Sequence, residues 1–573
     1  MERREVLQRY GGTKNKNFKK MDYKLIEMAG PFAERVANLA LNIAGSEDRY
    51  GAHSIQVFPS MGAAGNLHQT HADARGFMEW YGNWNRGNFW YTDAGVKVWA
   101  YEETFDNWQD SYGMDAVVVF YHSGHGGMNN AGVFFAPLGG TWDNRINALS
   151  SNMVIGNEQL KYLFWSTCQS LKIPDIADVN PDRLSPISTW HGPNRGLRMI
   201  FGFQSNSVDN PDYGKNFGNN WNAGQKFSEA WINASWAISQ NQIPTVCAMG
   251  ATREEADNIL YNERLFQWGA VAKNWYSWRW GGFVRPVFQN ADRQEMPKKP
   301  DVLLFENAGF DQKRTAALCK KLGFSEKELV SFGIERSGNI VASGKEKQLT
   351  VDTEGRITAV LGATNYKNTT ALSQDKAISM AEKAITELKF KGNGVDLVFD
   401  SLRIDKGQAG TSKGSGTIED AYITDTTVIF RQVHQGIRSI NNNHGLVMLS
   451  YDNNGKLTRI HNSTKKIIGV NSKSQAHIND PIKGKKVNKV ELLSDLNLNE
   501  KLRQKLMSLD GQEFATSRNN SPIGAEIIEA KEGFDFSGTT GELVAHREYS
   551  VEKGESDGQS FAKVYKVRVP LFG

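Results

Sequence analysis

Cysteine is scarce in this 573-residue chain, which carries only Cys168, Cys247 and Cys319. So small and odd a set argues against a disulfide scaffold and leaves room for a working thiol. Charge imbalance is also missing: the net charge is +4, without the concentrated basic stripe that a nucleic-acid partner requires. No apolar run approaches the roughly 20 residues of a membrane helix. The best one, residues 26–44, is interrupted by Glu27, Glu34 and Arg35 and reads as an amphipathic helix starting near Pro31. No membrane span is therefore expected. The opening residues MERRE lead into no apolar stretch, so no signal peptide is read and the cytoplasm is the default compartment.

Tryptophan is absent from the whole rear half: all fifteen lie between Trp80 and Trp280. Beyond them the text turns rich in Lys, Asn and Gly. A shift of that kind marks a domain boundary, and the polar segment at 289–301, with two prolines, reads as an exposed linker. The length suits two to four domains. In front of the boundary, strand and helix signals alternate: strands at 54–58, 97–101, 115–121, 132–137, 161–167, 196–203 and 244–248, and helices at 72–84 and around 227–238. Apolar strands alternating with helices predict an α/β fold, a mostly parallel sheet flanked by helices on both faces. Chemistry in such sheets gathers at the carboxyl ends of the strands.

Two of those strand ends carry reactive side chains. The run at 115–121 is followed by HSGHGG, residues 122–127, and the run at 161–165 by STCQS, residues 166–170. His125 and Cys168 thus leave the sheet at one edge. A free thiol is mostly protonated at neutral pH, and a nearby imidazole favours the thiolate. The imidazolium can then protonate a leaving amine. The glycines after His125 let substrate approach the backbone, whose N–H groups can stabilise an oxyanion by roughly 3–4 kcal/mol per donor.

An apolar strand ending in His-Gly, followed by a strand ending in Cys, resembles the caspase–legumain–gingipain–separase group of cysteine peptidases over residues 50–250. HSGHGG and STCQS are similar in wording to bacterial caspase-like domains. The resemblance implies that His125 is the general acid–base and Cys168 the nucleophile. The amides of Gly126 and Cys168 become the oxyanion donors. Ser166, two residues before the nucleophile, falls where such families line the substrate pocket. They often have Gln, Glu or Asp there, so the resemblance implies no side-chain preference. A glycine after the nucleophile is replaced by Gln169-Ser170.

Other readings of the same residues are blander. Cys247, within an apolar strand, reads as core, and Cys319, on a helix past the boundary, as structural. His122 and His125 have metal-like spacing, but neither an H-E-x-x-H pattern nor a second nearby Cys supports zinc; no metal or cofactor is expected. His122 reads as a packing residue and His191 as a substitute base. Asp209 and Asp212 read as solvated loop carboxylates, with a pocket for a basic side chain as the alternative.

Behind the boundary, residues 350–360 and 450–460 repeat a strand, Asp-x-x-Gly, strand pattern. Each is preceded by a helix signal, at 311–322 and at 373–388. In the second helix Ser373 is the expected N-cap, and Ile378, Ala381, Ile385 and Leu388 form one face. The second unit resembles PepSY domains and the propeptides of thermolysin-like proteases, which would also fit a secreted or envelope setting. The expected divisions are a peptidase domain at 1–295, a helix-plus-meander unit at 300–370, a PepSY-like unit at 371–470 and a β-rich domain at 485–573. Residues 300–573 are expected to mask the cleft or to serve as a docking module. The expected activity is cleavage of a peptide or protein substrate by a Cys–His dyad. The alternatives are ligation or cyclisation by the same dyad, or an inactive fold that binds peptide or glycan through Trp275, Trp278 and Trp280.

Overall fold

The computed structural model describes residues 12–13, 50–62, 65–82, 87–174, 183–284, 297, 301–306, 312–325, 329–335, 337–344, 346–413, 416–472, 492–510, 525–556 and 559–572. The expected helix at 26–44 and nearly all of the 289–301 linker lie outside them. The fold is mixed α/β, with a large, mostly antiparallel sheet.

Its front section is parallel. Strands β1 (Tyr50–Ser54), β2 (Phe89–Thr92), β3 (Val119–Ser123), β4 (Tyr162–Ser166) and β5 (Met199–Phe203) stand in the order β2-β1-β3-β4-β5, and every neighbouring pair is parallel. β6 (Pro244–Gly250) and β7 (Trp275–Val284) then extend the sheet antiparallel. Alternation along the strands sorts aromatic side chains onto two faces. Tyr121, Phe164 and Phe201 meet Phe77 of helix α1 (Thr70–Gly82), Phe217 of α2 (Tyr213–Asn222) and Trp231 of α3 (Phe227–Ile238), with Phe164 and Phe201 stacked 4.0 Å apart. The opposite face carries His122 and Trp165, which pack on Tyr101, Phe134 and Trp190.

That second face departs from the expected helical cover. Phe134 belongs to a separate small antiparallel sheet of Gly127–Met128, Phe134–Trp142 and Arg145–Leu149, so the run at 132–137 is no member of the main sheet. The run at 97–101 is not a strand either: Val98–Ala100 forms a 3-10 turn. Val98, Trp99 and Tyr101 are fully buried there, and a short apolar run reads alike in either conformation. β1 ends at Ser54, where the 54–58 signal begins, because the apolar residues Ile55 and Phe58 are buried in the connection beyond the strand. Trp278 is wholly buried in the core and Trp280 packs against it half-buried, while Trp275 is half-buried.

The sheet does not stop at the composition boundary. β7 pairs over its ten residues with β8 (Asp396–Thr411), which continues into β9 (Tyr422–His434), β10 (Leu446–Asp452) and β11 (Leu457–Asn462). The two Asp-x-x-Gly hairpins meet through Ile357–Val360 and β11. Their turns match bond for bond: Gly355 and Gly455 both have φ 79°, and Asp352 and Asp452 each accept from the amides two and four residues on. Left-handed φ favours glycine, which accounts for the repeat without a ligand. Helix α4 (Gln374–Leu388) buries Ala377, Ala381 and Ile385, with Ile378 and Leu388 at its margin. Ser373 occupies its N-cap position, but its hydroxyl makes no capping hydrogen bond. The C-terminal region is β-rich: β12 (Ala525–Asp535), β13 (Thr540–Ser556) and β14 (Gln559–Pro570) form an antiparallel sheet with Asp301–Phe305 and Ile467–Ser472.

A buried ion network ties the two halves together. Arg279 of β7 donates to Asp405 of β8 at 3.1 Å and to Asp425 of β9 at 3.2 Å, while Arg459 of β11 reaches Asp425 at 2.6 Å and Glu229 of α3 at 2.9 Å. Removing one partner leaves its counter-charges desolvated and unpaired, so Arg279→Met is expected to destabilise the protein by about 3–5 kcal/mol. Urea denaturation of the full chain measures this.

Candidate active site

Register brings the two reactive side chains level. Ser123 of β3 stands opposite Ser166 of β4, and His125 and Cys168 each follow two residues later. Both line one small cleft together with Ser166, Asp73 and Asp209. His125 is 2 % exposed and Cys168 7 %.

The imidazole is oriented by a backbone carbonyl. His125 Nε2 lies 2.8 Å from Gly65 O. A carbonyl only accepts, so Nε2 carries the proton in this contact and Nδ1 is left as the basic nitrogen. Phe58 packs against the ring at 4.7 Å between centroids. Burial pushes the His125 pKa down to about 3; the Gly65 carbonyl opposes the shift and the Lys563 ammonium adds to it. The ring is therefore neutral in the resting protein.

The Cys168 thiol is also held neutral. Burial raises its pKa, opposed by hydrogen bonds from Ser207, and the Asp209 carboxylate raises it further. The Ser207 amide donates to Sγ at 3.3 Å, and its hydroxyl lies 3.6 Å away. Ser207 was not evident in the sequence, because it sits in the loop after β5, 39 residues beyond Cys168.

Backbone geometry around Cys168 is specialised. Gln169 has φ 54°, the left-handed conformation that costs a non-glycine residue about 1–2 kcal/mol. It is held by its amide to Ser205 O at 3.0 Å and by its side-chain oxygen, which accepts from Met128 N at 3.3 Å. The glycine missing from the sequence after the cysteine is thus replaced by a glutamine in a conformation glycine adopts freely. Gly126 is required by contact: a Cβ there would lie 2.8 Å from Thr167 and Phe134. Among the described residues, neither the Gly126 nor the Cys168 amide donates to a backbone carbonyl.

Ser166 reaches the cleft wall, and its hydroxyl bonds to the Asp73 carboxylate. Asp73 also accepts from Tyr121 and Ser123 at 2.8 Å each and from Gly214 N at 2.9 Å. All four donors are neutral, and burial pushes its pKa up to about 6. Asp209 is not the freely solvated carboxylate expected. It is half-buried, and its oxygens accept the amides of His68 and Gln69 at 2.7 and 3.1 Å. His191 is absent from the cleft lining; its nearest ring contact is the Tyr276 hydroxyl at 3.5 Å. His122 bonds through Nδ1 to the buried Tyr101 hydroxyl at 2.7 Å, which also meets His53 Nδ1 at 2.6 Å.

Two other clusters resemble working sites. Ser54 Oγ lies 2.8 Å from His71 Nδ1, and His71 Nε2 lies 2.9 Å from Asp93, the connectivity of a catalytic triad. Ser54, however, is fully buried and already accepts from Trp90 Nε1 at 2.9 Å. No substrate carbonyl reaches it, and the chain acts as a clamp on the loop that carries Phe58. Glu529, His546 and Glu548 bring possible metal-ligand atoms within 4.8 Å of one another. Lys566, Lys531, Arg568 and Arg547 all bear on His546, and that cationic surround opposes a divalent ion.

A family model described as "Domain of unknown function (DUF6345)" matches residues 52–283. That stretch holds the parallel section except Tyr50 and Gly51, and both reactive residues. Among solved structures, the chain is similar to an uncharacterized protein from Eubacterium rectale ATCC 33656, at 12% identity over 48% of this chain and 82% of that one, with a TM-score of 0.25. No curated protein matches.

With the thiol pKa raised and the imidazole pKa lowered, the resting pair is not a thiolate–imidazolium. Alkylation of Cys168 by iodoacetamide is expected to rise about tenfold per unit between pH 7 and pH 9, following the growing thiolate fraction. A plateau between pH 6 and pH 8 would instead reveal a preformed ion pair. Rates by peptide mapping distinguish the two.

Proposed function

We propose that this protein is a cysteine peptidase of the caspase-like kind, with Cys168 as nucleophile and His125 as general acid–base. The observation that carries the reading is the convergence of the two side chains in one cleft, where the bond to Gly65 makes Nδ1 the basic nitrogen of His125. In the proposed reaction His125 Nδ1 takes the thiol proton and Cys168 Sγ attacks the peptide carbonyl. The amides of Gly126 and Cys168 hold the oxyanion. Collapse expels the amine, which takes the proton from His125 and leaves a thioester. Water then attacks the thioester, gives a proton to His125, and releases the acid and the thiol. An amine in place of water would make the same dyad a ligase.

Masking by residues 300–573 is part of the proposal. It is supported by the lining of the cleft, to which the C-terminal sheet contributes Lys563 and Val564. The twin hairpins and the preceding helix α4 support the PepSY-like reading of the middle units.

Cys168 is expected to be the cysteine labelled by peptidyl electrophiles, and His125→Ala to slow that labelling about 10²–10⁴-fold. Equal rates with and without His125, measured by intact mass, would refute the dyad. Cys168→Ala is expected to abolish cleavage of a peptide library.

A further inference from the structure

The cleft is nearly filled as it stands. Its free volume is about 20 Å³, and a single water needs roughly 10–15 Å³. Pockets that take a small ligand run from roughly 300 Å³ upward. No substrate side chain fits into that space, so whatever fills the cleft must leave before chemistry begins.

The chain itself fills it. Val564 of β14 forms a parallel bridge with Val208 in the loop after β5, and the Asp209 amide donates to Val564 O at 3.1 Å. Its side chain, 4 % exposed, belongs to the hydrophobic core of the front half. Adding an extended segment to a free backbone edge is how many domains bind peptides, with main-chain bonds for affinity and side-chain pockets for specificity. Lys563, beside it, is 2 % exposed. Its ammonium donates to Asn66 O, one residue from the carbonyl that orients His125, and it acts electrostatically on both Asp209 and His125. Lysine is almost never buried without compensation. Here the compensation comes from the Asn66 carbonyl and from Asp209 on the wall, while Asp73 lies in the same lining with only neutral donors.

We infer that Lys563 and Val564 are a built-in occupant of the substrate position, and that the peptide which displaces them carries a basic side chain. The occupancy rests on the contacts alone; the word substrate rests on the peptidase reading. Once β14 withdraws, Asp209 and Asp73 face the opened cavity without the ammonium, so a cationic side chain is the best replacement and an acidic one the worst. Beyond Val564, the face on which the C-terminal sheet is seated includes polar contacts. Glu548 accepts from Ser239 at 2.6 Å and Lys566 donates to Ile238 O at 2.6 Å. Polar contacts of this type within one chain permit relative movement.

Point substitutions test this better than truncation, because cutting at 295 would strip β7 of its partner β8. In the full chain, Lys563→Glu sets a carboxylate against Asp209, and Val564→Ala shrinks the side chain seated in the front-half core. Both variants are first checked for native near-ultraviolet circular dichroism. Iodoacetamide labelling of Cys168 is expected to be at least tenfold faster in K563E and several-fold faster in V564A. In K563E a lysyl peptide chloromethyl ketone is expected to react at least tenfold faster than its aspartyl counterpart. Unchanged iodoacetamide rates in the folded variants would overturn the occupancy, and an opened cleft with equal lysyl and aspartyl rates would overturn the basic preference. Adding His125→Ala to K563E separates this from the dyad. If lysyl labelling stays fast without His125, the peptidase reading fails while the faster iodoacetamide rate still upholds the occupant.

Discussion

The site depends on the register between β3 and β4. Parallel pairing of Ser123 with Ser166 places the residues two positions further on at one height above one edge of the sheet. A slip of one residue would turn every side chain of a strand to the opposite face, exchanging Tyr121 for His122 and Phe164 for Trp165. Both faces are packed with fully buried aromatics, so neither strand has freedom to slip. The aromatic content of the front half therefore fixes the two strand ends beyond which His125 and Cys168 project.

From that constraint the remaining features follow in layers. The loop after β1 brings the Gly65 carbonyl to His125, and the loop after β5 brings Ser207 to Cys168. The strained Gln169 keeps the chain turning sharply behind Cys168, at an energetic cost that, where it occurs, clusters at functional sites. Burial of this assembly holds thiol and imidazole in their neutral forms. In the proposed mechanism, admission of substrate and activation of the dyad are thereby coupled, since opening the cleft removes both the occupant and part of the desolvation.

Much of this was legible in the amino-acid text. The strands ending near His125 and Cys168 announced themselves as apolar runs broken by Gly-rich and polar turns, and the twin hairpins by their Asp-x-x-Gly spacing. The run at 97–101 was misleading, because burial and not extension makes it apolar. The expected helices on the second face gave way to a small sheet and turns carrying large aromatic residues, whose bulk covers a sheet as well as a helix does. Ser166 lines the cleft, and its hydroxyl bonds to Asp73, a residue on α1 with no motif around it.

By itself the sequence determined which side chains can react, because a histidine and a cysteine at the ends of apolar strands are local facts of spacing. Tertiary structure alone decided what surrounds them. Gly65, Asp73, Ser207 and Lys563 are 60, 52, 82 and 438 positions from His125 in the chain, and no periodicity relates residues that far apart. The continuity of the sheet from β7 into β8 is of the same kind. Hydrogen bonds between strands connect partners that chain order leaves unspecified, and here they seat the end of the chain on the chemistry near its beginning.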